Sequence, residues 1–487
     1  MLTDKNRKDI IALLIVGISL ILALLLFSCC TSPLYPHYYG VDSAIFSLVG
    51  KGVLEGKQLY TELFDHKGPV IFVINAIGHF LGGRNGIFFL QCVSGLICIT
   101  FLYYTGKMLR PNGTYRSPIE AALLFLFVGG VLVFTAENGN LTEEYSLPVI
   151  SCACFFFVKY ATRADKDPKH PPVYALVYGV GLAILTLLRL NNAVSIGAGV
   201  LVIMIYLVYK KQYSNLLWNL LFGLMGFLAL VVPVCLYFYL HSSLDEMIYA
   251  TFLHNFKIAG NTGRVPVMQN PRLYLVLYLP MLLSMVLIIL QIIRQRSITL
   301  TDGLFIGVLC LNILCLWVAN RYPHYFTIFI PVYYLVLCKY LRINWHSVMM
   351  IPVAICACHC LYMTAIQTNS VAEYVHVQGN PYYTAVAADM AKIPEQERHS
   401  VIGYEIMAMD YLIGDMIPCY KYYTFQSGWA ITAPQILTDF MQWVEDNEPL
   451  WVLTAREETG TDLDRILADK YEFRFSNPYV YYYRLKD

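Results

Sequence analysis

Asp42, Asp65-His66-Lys67, Glu143-Glu144, Arg189, His254-Asn255 and Arg321 with His324 stand out in a chain that is otherwise overwhelmingly apolar. They comprise carboxylates that can take a proton, cations that can hold an anion, and imidazoles that can do either. Ionisable groups next to a hydrocarbon layer are costly, so each is a candidate for function. Together they suit one chemistry. Lys67, Arg189 and Arg321 with His324 would hold a lipid-linked phosphate, while a carboxylate removes a proton from an acceptor hydroxyl.

Each group also has a plainer reading. Asp42 stands at the start of a helical run and could cap it. Lys67 could be a long side chain reaching out of the apolar layer. Glu143 and Glu144 open another apolar run, where acids complement the positive end of the helix dipole.

Composition fixes the class. Of 487 residues, 57% are hydrophobic and 14% charged, against about 25% charged in soluble proteins. The formal net charge of +1 gives no reason to expect a nucleic-acid partner. The 14 Cys lie mostly inside apolar runs and form no disulfide framework. Cys356, His359 and Cys360 share a helical face and have metal-ligand chemistry, but packing inside a span explains them more simply.

Apolar runs of about 20 residues fall at 10–28, 86–106, 118–136, 145–160, 173–190, 193–209, 216–240, 273–293, 301–319, 323–341 and 345–366. They predict a polytopic α-helical membrane protein with about eleven spans. The run 69–81 is shorter. If it does not cross, Lys107/Arg110/Arg116, Lys159/Arg163/Lys166/Lys169, Lys210/Lys211, Arg294/Arg296 and Lys339/Arg342 all share a side with Lys5, Arg7 and Lys8. The positive-inside rule therefore puts the N-terminus in the cytoplasm and predicts that 69–81 lies along the outer interface or re-enters. The polar groups then gather largely at the outer rim, where Arg189 and Arg321 run against the charge bias and favour an anionic partner.

The first outer loop covers 29–68, extended to 85 by the interfacial run. Ala44, Ile45, Leu48, Val49, Val53 and Leu54 recur at helical spacing and predict an amphipathic helix on the membrane surface, with Asp42 at its N-terminal end. Residues 1–366 are read as the membrane domain and 367–487 as a soluble extracytoplasmic α/β domain. In the latter we expect helices near 382–392, 434–446 and 461–470, and strands near 400–405, 419–425, 450–454 and 479–485.

The segments YGVDSAIF (39–46), GKQLYTELFDHKGP (56–69), ENGNLTEEYSLP (137–148), LLRLNN (187–192) and RYPHYF (321–326) run through the whole membrane part. In this order they resemble the GT-C membrane glycosyltransferases, particularly the protein O-mannosyltransferases and bacterial aminoarabinose transferases. Asp42, the Gly-x-x-x-Tyr turn and the Lys-x-Pro ending form the most specific piece. The resemblance implies a polyprenyl-phosphate sugar donor and an inverting transfer on the outer face. Asp42 aligns with the first-loop catalytic acid, Lys67 with the lysine near the lipid phosphate, and Glu143 or Glu144 with the second acidic position. Phosphate-holding roles for Arg189, Arg321 and His324 rest on position and charge. Asp65, His66, His254 and Asn255 are further site candidates. Many relatives carry a second acid where this chain has Ser43, which disfavours a divalent metal; no cofactor is expected. No β-trefoil insertion fits in the loops, so the chain looks bacterial.

The expected partners are the polyprenyl-phosphate sugar, membrane lipid, and a hydroxyl acceptor on an envelope glycan, glycolipid or protein. The expected location is a bacterial cytoplasmic membrane. The alternative is a transporter or flippase of lipid-linked glycans. Transporters place ionisable groups near the bilayer midplane between broken helices, whereas here they mostly gather at one rim.

Overall fold

The computed structural model describes residues 4–261, 271–318, 322–341, 350–376 and 380–487. Along the chain, α1 (Asp4–Phe27) is followed by α2 (Val41–Leu54), α3 (Pro69–Gly82), α4 (Arg84–Leu109), α5 (Pro118–Thr135), α6 (Thr142–Ala161), α7 (Pro172–Leu188), α8 (Val194–Tyr209) and α9 (Tyr213–Leu240). Then come α10 (Leu244–Ile248), α11 (His254–Asn261), α12 (Pro271–Gln295), α13 (Leu300–Val318), a 3-10 stretch (Pro323–Phe329), α14 (Ile330–Tyr340) and α15 (Met350–Tyr374). The chain forms two compact units: Met1–Ser28, Phe89–Tyr237 and Arg264–Asn369 in the first, and Cys29–Phe88, Phe238–Gly263 and Ser370–Asp487 in the second.

The first unit is a helical bundle. Each predicted span coincides with a helix, but among the described residues eight are long and apolar enough to cross a membrane. The stretches at α6, α7 and 323–340 are shorter or more polar, so the eleven expected spans divide into eight full-length helices and these three. α9 shows what surrounds the bundle. Leu217, Leu221, Leu224, Leu228, Val232 and Leu236 follow one another at helical spacing and are all exposed. Such an apolar stripe is stable against lipid and not against water. The chain is a multi-pass helical membrane protein.

The second unit is built around α2. Ser43 through Gly50 are buried without interruption, so α2 is enclosed in protein and is not the one-sided surface helix expected. It packs closely on α3: a Cβ at Gly50 would lie 2.6 Å from Asn75 Cβ and 2.8 Å from the Ala76 nitrogen, so only glycine fits. Ser47 Oγ and His79 Nε2 hydrogen-bond across the same contact at 2.9 Å. α3 has 14 residues, about 21 Å at 1.5 Å per residue, short of the roughly 30 Å hydrocarbon layer.

The C-terminal part adds α16 (Asn380–Met390), β1 (Val401–Tyr404), α17 (Ala408–Ile413), α18 (Gln426–Ala430), α19 (Gln435–Asn447), β2 (Trp451–Thr454), α20 (Asp462–Lys470), β3 (Tyr471–Ser476) and β4 (Tyr481–Leu485). The sheet order is β1-β2-β4-β3, with β1 and β2 parallel and the other pairs antiparallel. The strand expected at 419–425 does not form. Cys419 N–H donates to Val401 O at 3.1 Å, and the Lys421 carbonyl accepts from Phe64 N–H at 3.1 Å. The segment thus ties the sheet to the first loop, and Phe425 then turns into the left-handed region at φ 52°. β3 is an addition. Its hairpin with β4 is closed by Asn477, whose Oδ1 accepts from the N–H groups of Tyr479 and Val480, both at 2.9 Å.

Candidate active site

In the second unit, Asp42 lies in the first turn of α2, but the N-cap position is Gly40 and no side chain caps the helix. Among the described residues, Asp42 makes no hydrogen bond or ion pair, and it is half-buried. Its neighbour Ser43 hydrogen-bonds to the Cys30 thiol. Phe46 follows Asp42 by one turn and so shares its face. The Lys67 ammonium sits 5.8 Å from the centre of the Phe46 ring.

Lys67 is held at three points. Its N–H donates to Asp65 Oδ1 at 2.8 Å. Its carbonyl accepts from the Tyr60 hydroxyl at 2.9 Å. Its ammonium donates to His66 Nε2 at 2.8 Å. Tyr60 closes the Gly-x-x-x-Tyr turn with φ 71°, a left-handed conformation that costs a bulky residue energy. Lys67 is only 7% exposed, and among the described residues no carboxylate pairs with its ammonium. An ammonium taken out of water without a counter-ion is expensive.

Asp65, His66, His254 and Asn255 come together around this lysine. Asn255 Nδ2 donates to the His66 carbonyl at 2.7 Å. His254 is fully buried, with Phe64, His66 and Trp429 against its ring. Burial, and secondarily the charge of Lys257, pushes its imidazole down to about 4, so it is neutral near pH 7. Trp429, Phe64 and Tyr422 complete this aromatic wall and were not among the expected site residues. Trp429 lies beside the aromatic run Tyr420–Phe425, the one signal that pointed to it.

In the first unit, a second polar cluster joins the ends of α5, α6, α7 and the 3-10 stretch. Arg189 Nη1 donates to Glu143 Oε1 at 2.8 Å, and Thr142 Oγ1 donates to Glu143 Oε2 at 2.9 Å. The Arg189 guanidinium lies 4.2 Å from the centre of the Tyr325 ring. His324 Nδ1 is 3.1 Å from Glu137 Oε1 and its ring lies edge-on to Tyr325. Glu143, Arg189 and His324 are therefore brought together. Glu144 faces elsewhere: its Oε2 accepts from the Leu141 N–H at 3.0 Å and from Gln91 Nε2 at 3.2 Å, which caps α6. Arg321 lies outside the described residues. Cys356, His359 and Cys360 take separate partners: the Tyr333 hydroxyl, the Val276 carbonyl and the Leu126 carbonyl.

No protein-family model matches the chain, and no curated protein matches it in sequence. Solved structures do. The ArnT of Cupriavidus metallidurans bound to undecaprenyl phosphate aligns over 96% of this chain and 97% of its own, with a TM-score of 0.62 and 14% identity. The oligosaccharyltransferase of Archaeoglobus fulgidus in its apo form aligns over 97% of this chain and 74% of its own, with a TM-score of 0.53 and 13% identity. Both are GT-C proteins. The chain has the GT-C fold. Within this fold, Asp42 and Lys67 belong to the second unit, and Glu143, Glu144, Arg189 and His324 to the first. A third structure, the Archaeoglobus fulgidus AglB in complex with an inhibitory peptide and a dolichol-phosphate, aligns at a TM-score of 0.50 and 11% identity over 97% of this chain and 74% of its own.

Proposed function

We propose that the chain is a membrane glycosyltransferase that moves a sugar from a polyprenyl-phosphate donor to a hydroxyl of an envelope glycan, glycolipid or protein on the outer face of the membrane. One observation carries the reading. A buried ammonium without a carboxylate partner, Lys67, lies against the helix face that presents the uncommitted carboxylate of Asp42. A phosphate supplies the missing anion. The GT-C neighbours add support, since one is a structure bound to undecaprenyl phosphate and another a complex with a dolichol-phosphate.

The step is a single displacement. The acceptor oxygen attacks the anomeric carbon while Asp42 takes the hydroxyl proton as general base. The bond from that carbon to the phosphate oxygen breaks on the opposite face, so the configuration inverts. The polyprenyl phosphate leaves as an anion beside Lys67, so no separate acid is needed. Glu144 is occupied by capping α6, and Glu143 by Arg189 and Thr142, so Asp42 is the carboxylate this reading uses as the base.

The test is transfer by the purified full chain in detergent, with radiolabelled polyprenyl-phosphate sugars and crude envelope lipids. Label appearing in a new product supports the enzyme. Binding of the same lipids without any product contradicts it and favours transport.

A further inference from the structure

An ammonium can only donate a hydrogen bond. Its 2.8 Å contact with His66 Nε2 therefore makes that nitrogen the acceptor. The imidazole is neutral, with its proton on Nδ1, facing Asp65 Oδ2 at 3.8 Å. His66 thus brackets the Lys67 side chain, and anything that fixes the His66 ring fixes the lysine.

Trp429 does this from the far end of the chain. Its ring centre is 5.0 Å from that of His66. It meets Phe64 edge-on at 5.8 Å and His254 at 5.5 Å. The indole N–H donates to the Thr424 carbonyl at 3.0 Å, which sets the ring's orientation. The main chain repeats the link: Phe64 N–H donates to the Lys421 carbonyl at 3.1 Å. An aromatic ring with its N–H engaged offers rigid area at little entropic cost.

We propose that Trp429 is a positioning residue that acts through His66 on the phosphate-holding Lys67, so that the segment 421–429 completes the donor site. The inference rests on Lys67 being the phosphate holder. It gives the C-terminal part a function within the site.

The experiment is the affinity of the purified full chain in detergent for undecaprenyl phosphate. It compares wild type with Lys67→Ala, His66→Ala, Trp429→Ala, Trp429→Phe and the double variant His66→Ala/Trp429→Ala. The expected result for Trp429→Ala is a dissociation constant raised about tenfold, with Trp429→Phe, which keeps an aromatic face but lacks the N–H, between wild type and Trp429→Ala. The double variant should bind no more weakly than His66→Ala alone, because both act along one path. If Trp429→Ala does not fold, Trp429→Leu takes its place. Wild-type affinity in the Trp429 variant, or losses that multiply in the double variant, would overturn the inference while Lys67→Ala still binds weakly. Wild-type affinity in Lys67→Ala would instead remove the reading of Lys67, and this inference with it.

Discussion

Lys67 has an imidazole beside its ammonium where a stability-driven design would place a carboxylate. Such a group costs the folded protein energy, and under the proposed function the phosphate it holds accounts for it. Lys67→Met should therefore weaken undecaprenyl phosphate binding while leaving stability equal or higher, by on the order of 1 kcal/mol, read as an unchanged or raised melting temperature. A lower melting temperature with unchanged lipid affinity would make the lysine structural. Arg189 is the contrasting case, because it already holds Glu143, which is 1% exposed. Arg189→Met should cost roughly 3–5 kcal/mol by stranding the buried carboxylate. Adding Glu143→Gln should restore most of that loss in thermal unfolding. A double variant no more stable than Arg189→Met would refute the pairing.

At the scale of elements, α2 sets where Asp42 stands, and its contact with α3 depends on Gly50. Gly50→Val would push the helices apart, costing roughly 1–3 kcal/mol as overpacking does. The melting temperature should drop and transfer should fall with it. A variant as stable and active as wild type would mean the contact is not needed. Asp410 offers a pH test in the C-terminal part. It caps α17 by accepting from the Met407 N–H and also accepts from the Tyr382 hydroxyl. Burial raises its carboxyl from 3.8 to about 6. The unfolded chain therefore loses this proton before the folded one, and stability falls as pH rises from about 4 to 6. The loss is about 3 kcal/mol at 1.4 kcal/mol per unit. His254, lowered to about 4, works in the opposite direction over the same range. The informative quantity is thus the difference between wild type and Asp410→Asn in melting temperature across pH 4–7. That difference should grow in favour of the variant as pH rises, and a constant difference would contradict it.

Elements were legible where one pattern dominated. The apolar runs located the bundle helices, and α2 was found from its helical spacing. The enclosure of α2 was not legible, because α17 packs on it from the far end of the chain. The segment 419–425 looked like a strand because it is rich in aromatics, yet its backbone groups go to Val401 and Phe64. The Ser-Asn-Pro turn before β4 did signal a hairpin, and β3 could have been read from it.

Over the whole molecule, likeness to ArnT extends across 96% of the chain at 14% identity. The membrane-part segments with Asp42, Lys67, Glu143 and Arg189 were readable because polar groups at apolar borders are rare. Partnerships such as Arg189 with Glu143, or Trp429 with His66, join positions far apart in sequence and could not be read from spacing. The account stands on Asp42 as the base. The direct measurement is the transfer rate of Asp42→Asn against wild type, made alongside undecaprenyl phosphate affinity. The account predicts transfer reduced by roughly 10²-fold or more, with affinity and fold unchanged. Near-wild-type turnover in Asp42→Asn would contradict it.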